Sequence, residues 1–203
     1  MKVTELKETK AGRISLFLDG QFITSLDTLT FGEYGLCVDD EIDEDTLNEI
    51  LRLSQSRRTK QKAVELLSYR PHSKAELQKK LMKNASEEDA ENAISRMEEL
   101  EMVNDLSFAK LIVREYGEIK LYGIHRVTQE LYRRGVEPEI IAEALDELPD
   151  QQEIITRFLN SRWRAELRGN LASRERLVKK LITRGFDYDD IRPVVSRFEI
   201  EDK

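Results

Sequence analysis

The chain has 203 residues, of which 39% are hydrophobic and 36% are charged, and its formal net charge is −7. This length allows one or two domains with buried cores, and the small number of turn residues (9 Gly and 4 Pro) favours a helical protein. The negative charge argues against a surface that binds nucleic acid all over, and no apolar run is long enough to span a bilayer. Because the first residues lack an apolar signal core and Cys37 is the single cysteine, we expect a cytoplasmic protein without an intrachain disulfide.

The first 40 residues predict a small β-rich extension. Apolar residues alternate along Ile14–Leu18 and Gln21–Leu26, and these runs flank Asp19-Gly20. Asp-Gly supplies the positive φ angles that a two-residue hairpin requires. Residues 3–6 are a candidate third strand, since an isolated hairpin is only marginally stable in water.

A short helix and an acidic stretch come next. We expect a helix at Thr28–Tyr34 that stops at Gly35, an extended piece over residues 36–38, and a longer helix that starts within residues 39–45. The acidic stretch lacks the central Gly and the spaced Glu of a calcium loop. Helix initiation with Asp43 as the cap therefore accounts for it better than a metal site. The polar stretch 54–58 is either a hinge or an exposed part of a helix.

From residue 60 onwards, one block recurs three times with a period of 50 residues. Each copy carries two apolar residues four positions apart, at Leu77 and Leu81, Val127 and Leu131, and Leu177 and Leu181. A fixed repeat of this length is typical of arrays whose units bury their apolar faces against one another. The sequence predicts a mainly α protein with three tandem three-helix repeats in an elongated curved array. The predicted boundaries are 1–59 for the extension and 60–103, 104–149 and 150–203 for the repeats.

Local signals mark the ends of the predicted helices. Ser73 and Glu76 form a capping box at the start of the second helix of the first repeat. Gly135 and Gly185 end the second helices of the other repeats in a left-handed conformation, and we expect Asn84 to adopt it in the first. The predicted core side of the helix after Ser86 comprises Ala90, Ala93, Ile94, Met97 and Leu100.

Several motifs follow one another in a fixed order along the chain. They are Leu18-Asp19-Gly20, Tyr34-Gly35-Leu36, Tyr69-Arg70-Pro71 with Ser73 and Glu76, Asn104-Asp105 with Phe108-Ala109, and Gly123 with Arg126-Val127, Glu130-Leu131 and Arg134-Gly135-Val136. In this order and spacing they resemble the bacterial RecX proteins, modulators of the RecA recombinase. The resemblance implies a protein that binds the RecA filament on single-stranded DNA and modulates, mainly inhibits, its assembly, ATP hydrolysis and strand exchange. We expect a monomer.

No arrangement of residues predicts catalysis, a metal site or a cofactor. His72 and His125 lie outside any recognisable catalytic motif, and the sequence has no phosphate-binding Gly loop and no cysteine pair for zinc. Trp163 lies on the apolar stripe of its helix, which favours a core position over a base-stacking platform. We expect a protein that is not an enzyme and that uses no cofactor.

Basic residues recur at equivalent places in the second helices and at helix ends, and they are the candidate contacts with a partner or with nucleic acid. They are Arg70, Lys79, Lys80, Lys83, Arg126, Arg133, Arg134, Arg176, Lys179, Lys180 and Arg184. Aligned on one face, they would suit phosphates or an acidic filament surface; alternatively, they are ordinary solvated positions paired with nearby carboxylates.

A second functional hypothesis is a sequence-nonspecific DNA-binding module that acts through the third repeat. Residues 151–203 hold 12 Lys and Arg against 9 Asp and Glu and are the only basic part of the chain. A three-helix unit with a basic second or third helix also resembles a helix-turn-helix DNA reader in outline. This hypothesis predicts direct, salt-sensitive binding to DNA.

Overall fold

The computed structural model describes residues 1–163 and 171–201 of a mainly helical chain. The chain divides into two compact units, one made of Met1–Arg70 and Leu77–Met102 and the other of Pro71–Glu76 and Val103–Lys203. The predicted fold class, helical repeats with a small N-terminal sheet, is confirmed.

The first unit begins with a three-stranded antiparallel sheet in the order β1 (Val3–Glu8), β2 (Ile14–Leu18) and β3 (Gln21–Leu26). Asp19 and Gly20 have φ angles of 48° and 81°, so the predicted hairpin turn with two positive φ angles is confirmed. One face of the sheet packs into a core with the residues that follow it. This core comprises Val3, Leu16, Leu18, Leu26, Leu36, Ile42, Leu47 and Ile50.

Two helices follow the sheet in the chain and pack against its core. Helix α1 (Thr28–Tyr34) ends at Gly35, as predicted, with Gly35 in the left-handed region at φ 55°. The chain forms no strand at residues 36–38 but turns at residues 38 and 39, which corrects the expected extended piece. Helix α2 (Glu44–Tyr69) is capped by Asp43, as predicted, and the Asp43 carboxylate accepts a hydrogen bond of 2.7 Å from the Thr46 amide.

Helix α2 runs without interruption through the polar stretch 54–58, so that stretch is part of a helix and not a hinge. Ser54 in this stretch and Thr59 directly after it are buried, and the Thr59 hydroxyl donates to the Gln55 carbonyl oxygen at 2.9 Å. A hydroxyl satisfied by the preceding turn can be buried in a helix without an unpaired polar group. The Thr59 hydroxyl is therefore buried at no cost of an unpaired polar group.

Helices α3 (Lys74–Leu81) and α4 (Glu87–Glu99) follow, and two expectations about their ends are wrong. Asn84 does not adopt the left-handed conformation, because its amide donates to the Leu81 carbonyl in a tight turn and Ser86 then caps α4. The left-handed residue occurs after α4 instead, at Glu101 with φ 56°. Leu100 is 47% exposed because α4 has already ended there and the chain turns away from the core.

The second unit holds the helices of the second and third repeats, and each repeat has its own core. The described helices are α5 (Asp105–Arg114), α6 (Ile124–Arg133), α7 (Pro138–Leu145), α8 (Gln151–Phe158), α9 (Leu171–Thr183) and α10 (Tyr188–Glu201). The predicted apolar pairs Val127 and Leu131, and Leu177 and Leu181, are buried. Unpredicted π-helical turns, Glu115–Ile119 and Leu159–Trp163, extend α5 and α8. Trp163 is half-buried against the third-repeat core, as expected of a core position.

Candidate interaction surface

The second helices of consecutive repeats meet through a joint that the structure builds twice with equivalent residues. In the first joint the Ser73 hydroxyl, at the start of α3, donates to the Arg134 carbonyl oxygen at the end of α6 at 2.5 Å. In the second, the Gly123 amide before α6 donates to the Arg184 carbonyl oxygen after α9 at 3.0 Å. Because each pair is displaced by the repeat period, both joints use the same positions of the repeat.

Each joint also includes the first residue of the next repeat's first helix. The Lys74 amide donates to Asp105 Oδ1 at 2.8 Å, and the Ile124 amide donates to Gln151 Oε1 at 2.9 Å. These bonds satisfy amides at the open N-terminal ends of α3 and α6. Sequence reasoning missed Asp105 and Gln151, and their shared place as the first residue of a helix is the signal that could have identified them.

Glycine is required at both joints by backbone conformation and by close approach. Gly135 and Gly185 have φ angles of 74° and 92°, which confirms their predicted left-handed conformation. An added Cβ on Gly135 would collide with the side chain of Ala75, and one on Gly185 would collide with the backbone of Arg126. The two second helices of each joint can therefore approach only where the repeat has glycine.

Two of the predicted contact residues, Arg133 and Arg134, pair with carboxylates at the first joint. Arg134 Nε donates to Glu130 Oε1 at 2.7 Å, and its Nη1 lies 3.6 Å from Glu76 Oε1. Arg133 also reaches Glu130, at 2.6 Å. The hydrogen bonds from Arg133, and then from Arg134, lower the pKa of Glu130 to about 2 although burial opposes them. The Arg134 side chain is only 17% exposed, so it stabilises the joint.

Arg184 has the equivalent place at the second joint. Its Nε donates to the Leu121 carbonyl oxygen at 3.1 Å, and its Nη2 donates to the Lys120 carbonyl oxygen. The guanidinium carbon lies 4.2 Å from the centre of the Tyr122 ring, within cation–π range. Burial lowers the pKa of Arg184 from its ordinary value. Arg184 thus holds the segment before α6 against the end of α9.

The other predicted contact residues differ in how much of their hydrogen-bonding capacity is occupied. Arg126 donates to Gln129 Oε1, Arg176 donates to the Ala172 carbonyl oxygen, and Lys180 Nζ lies 3.8 Å from the centre of the Trp163 ring. Arg70 is exposed at the end of α2, and Lys80 is half-buried at a cleft. Of the candidate contact residues, Lys79, Lys83 and Lys179 are exposed and make no hydrogen bond or ion pair with any residue that the structure describes.

An exposed apolar residue follows the second buried position of every second helix. Met82 is 45% exposed, Tyr132 53% and Ile182 50%, and they lie 50 residues apart. Burying such side chains against a partner removes apolar surface from water. Sequence reasoning missed these residues because it followed the basic positions, although the repeat period would have aligned them.

These residues define one exposed face on each second helix, which we call the second-helix face. It consists of Lys79 on α3 with Met82 and Lys83 in the turn that follows α3, Gln129, Tyr132 and Arg133 on α6, and Lys179, Ile182 and Thr183 on α9. Residues spaced by three and four lie on the same side of a helix. Each face therefore presents one apolar side chain between polar or basic ones, which is a suitable composition for a protein-binding surface.

Two further structural findings bear on function. No helix in residues 1–163 and 171–201 has the length and apolar character needed to cross a membrane. Within the same residues, no group of three or more His, Cys, Asp or Glu side chains is arranged to hold a metal ion.

The two central segments match models of a known family. The family model described as RecX, first three-helix domain, matches residues 60–97, and the one described as RecX, second three-helix domain, matches residues 104–145. These ranges cover helices of the first two predicted repeats.

Whole-chain comparisons give similar proteins with one name, regulatory protein RecX. The protein of that name from Prosthecochloris aestuarii is 32% identical over 145 residues, which cover 70% of this chain and 95% of the relative. The one from Caldanaerobacter subterraneus is 29% identical over 195 residues, which cover 94% of this chain and 96% of the relative.

Two crystal structures share the fold. One, of a regulatory protein RecX, has a TM-score of 0.69 and 21% identity and covers 95% of this chain and 98% of its own. The other, of RecX from Lactobacillus salivarius, has a TM-score of 0.65 and 21% identity and covers 72% of this chain and 97% of its own.

Proposed function

Because this chain belongs to the RecX family of regulatory proteins, we propose that it binds the RecA recombinase filament on single-stranded DNA and inhibits it. The inhibition would act on filament assembly, ATP hydrolysis and strand exchange. The second-helix face, present once on each of three repeats, is the observation that carries the proposal. A filament offers the same site on successive identical subunits, and several weak contacts made by one chain reinforce one another.

The proposal assigns the contact to apolar anchors with basic neighbours. Met82, Tyr132 and Ile182 are the anchors, since binding energy at interfaces is concentrated in a few buried apolar or aromatic side chains. Lys79 and Lys179 provide positive charge beside two of these anchors without neutralisation by described carboxylates. Arg134 and Arg184 support this surface from within the joints.

We also propose the repeat boundaries 60–103, 104–149 and 150–203, and a cytoplasmic monomer with no catalytic activity or cofactor of its own. The matches of the two three-helix family models to residues 60–97 and 104–145 support the first two boundaries. The regulatory name of the relatives supports a role without catalysis.

The test is the rate of ATP hydrolysis by a RecA recombinase on single-stranded DNA, with this protein titrated from far below to equal stoichiometry. We expect inhibition at a small fraction of the recombinase concentration, and excess DNA should not relieve it. Absence of inhibition at equal stoichiometry would overturn the proposal. Inhibition that excess DNA abolishes would favour the other hypothesis, DNA binding through the basic third repeat.

A matched pair of variants tests the assigned surface. The triple variant Met82→Ser, Tyr132→Ser, Ile182→Ser removes the anchors and should weaken inhibition by about thirtyfold or more, since loss of even one buried interface anchor costs about 2 kcal/mol. The control Val64→Ser, Leu111→Ser changes exposed apolar residues of comparable exposure on α2 and α5. The control should inhibit like the wild type; equal loss in both variants would refute the assignment.

A further inference from the structure

A polar cleft in the first unit has no part in the second-helix face. It has a volume of about 410 Å³ and lies between the residue before β2, the middle of α2 and the end of α3. Four cationic side chains and one carboxylate line it, which gives a formal charge of +3. The charged lining residues are Arg13, Arg58, Lys62, Lys80 and Glu65.

The cations of the cleft are positioned by their neighbours. Arg13 Nε donates to the Ser25 carbonyl oxygen at 3.2 Å, and Nη2 donates to the same oxygen. A guanidinium has five N–H donors, so three donors of Arg13 remain for a ligand. Lys62 Nζ lies 2.9 Å from Glu65 Oε2 and neutralises that carboxylate.

Arg58 is the most available cation of the cleft. It is exposed and makes no hydrogen bond or ion pair with any residue in the described part of the chain. A guanidinium binds phosphate or carboxylate oxygens through two parallel N–H bonds, which an ammonium cannot do. Arg58 and Arg13 together therefore supply two such groups on one cleft.

The wall of the cleft is held in place by hydrogen bonds within the same unit. Gln55 Nε2 donates to the Asn84 carbonyl oxygen at 3.0 Å and joins α2 to the segment after α3. The buried Thr59 hydroxyl bonds one turn back along α2. A site whose groups are already fixed loses less entropy when a ligand binds.

We propose that this cleft binds a phosphate-bearing ligand with at least two negative charges. A single carboxylate would engage only one of the two guanidinium groups, Arg13 and Arg58, whereas a phosphate group or two adjacent phosphates can engage both. The volume falls in the range of small-molecule sites, about 300–1,000 Å³. The phosphates come from a free polyphosphate or from the backbone of a single-stranded nucleic acid.

The test measures binding of inorganic triphosphate to the full-length protein by calorimetry, and of a fluorescent oligothymidylate by anisotropy. The variant Arg58→Gln should weaken phosphate binding about tenfold or more, as expected for loss of a hydrogen bond to a charged group. The matched control Arg52→Gln changes an exposed arginine of α2 outside the cleft and should bind like the wild type. Circular dichroism should show the same helical content in both variants.

Competition between the two probes identifies the source of the phosphates. Oligothymidylate that displaces triphosphate, with a salt dependence that Arg58→Gln reduces by about one charge, indicates a nucleic-acid backbone. Triphosphate binding without oligothymidylate binding indicates a free polyphosphate, and both results support the site. No saturable binding of either probe at low salt, equal weakening by both variants, or tighter binding of an oligoglutamate peptide would overturn it.

Phosphate binding in the cleft does not depend on the proposed inhibition of RecA. Inhibition can be absent while the cleft binds phosphate, and inhibition can occur while the cleft binds none.

Discussion

Substitution of Gly135 by Ala tests whether the joint between α3 and α6 stabilises the second unit. Gly135 has φ 74°, where an alanine costs about 1–2 kcal/mol of backbone strain. The added Cβ would also collide with the Ala75 side chain, and forcing such a contact costs about 1–3 kcal/mol. We expect Gly135→Ala to lower the free energy of unfolding by about 2–5 kcal/mol.

The assay is urea unfolding followed by circular dichroism, with the slope and midpoint compared between variants. Gly12→Ala is the control for backbone strain, because Gly12 has φ 70° and open space around an added Cβ. It should cost only about 1–2 kcal/mol. The double variant Ala75→Gly, Gly135→Ala should recover the part of the loss that is due to the collision.

Two results would refute this reasoning. One is a loss in Gly135→Ala no larger than in Gly12→Ala, which would mean that the contact with Ala75 yields at no cost. The other is a double variant whose loss equals the sum of the single losses, which would mean that residues 75 and 135 do not interact.

Two further predictions concern the charged groups of the joints. Because the pKa of Glu130 is held at about 2 in the folded protein and is about 4.5 in the unfolded chain, its pairing stabilises the fold above pH 4.5 and is lost as the pH falls towards 2. Acid titration of the unfolding free energy should show this loss, about 2–3 kcal/mol, and Glu130→Gln should abolish that part of it; an identical acid profile in both proteins would contradict the pairing. Arg184→Lys replaces a planar group that donates to two carbonyl oxygens, and it should lower the free energy of unfolding by about 1–2 kcal/mol. The control Arg176→Lys should change the free energy of unfolding by less than about 0.5 kcal/mol. Similar values for the two variants would show that Arg184 does not stabilise the joint.

Features set by neighbouring residues could be predicted from the sequence. The turn at Asp19-Gly20, the caps at Asp43 and Ser86, and the glycines that end α6 and α9 depend on backbone conformations that only a few residue types favour. The burial of the apolar pairs in the second helices could also be predicted, because a spacing of four residues places both on one side of a helix.

Features that depend on distant residues could not be predicted in this way. The pairing of Arg134 with Glu130, four positions earlier, agrees with the alternative of nearby carboxylate partners, but Glu76, 58 positions earlier in the chain, also reaches Arg134 in the folded protein. The exposure of Leu100 and the conformation of Asn84 are local, but they depend on the exact residues at which α4 and α3 end, which sequence signals fix only to within one or two residues. The role of Asp105 is also a consequence of packing, since its partner is an amide of another helix.

The joint has a consequence for the ancestry of the chain. The bonded pairs Ser73 with Arg134 and Gly123 with Arg184 are 50 positions apart, so α3 meets α6 through equivalent positions to those through which α6 meets α9. A duplicated or deleted segment of one repeat length would therefore join its neighbours through contacts that already exist. Proteins of this architecture could gain or lose a repeat in a single genetic step, without first evolving a new interface.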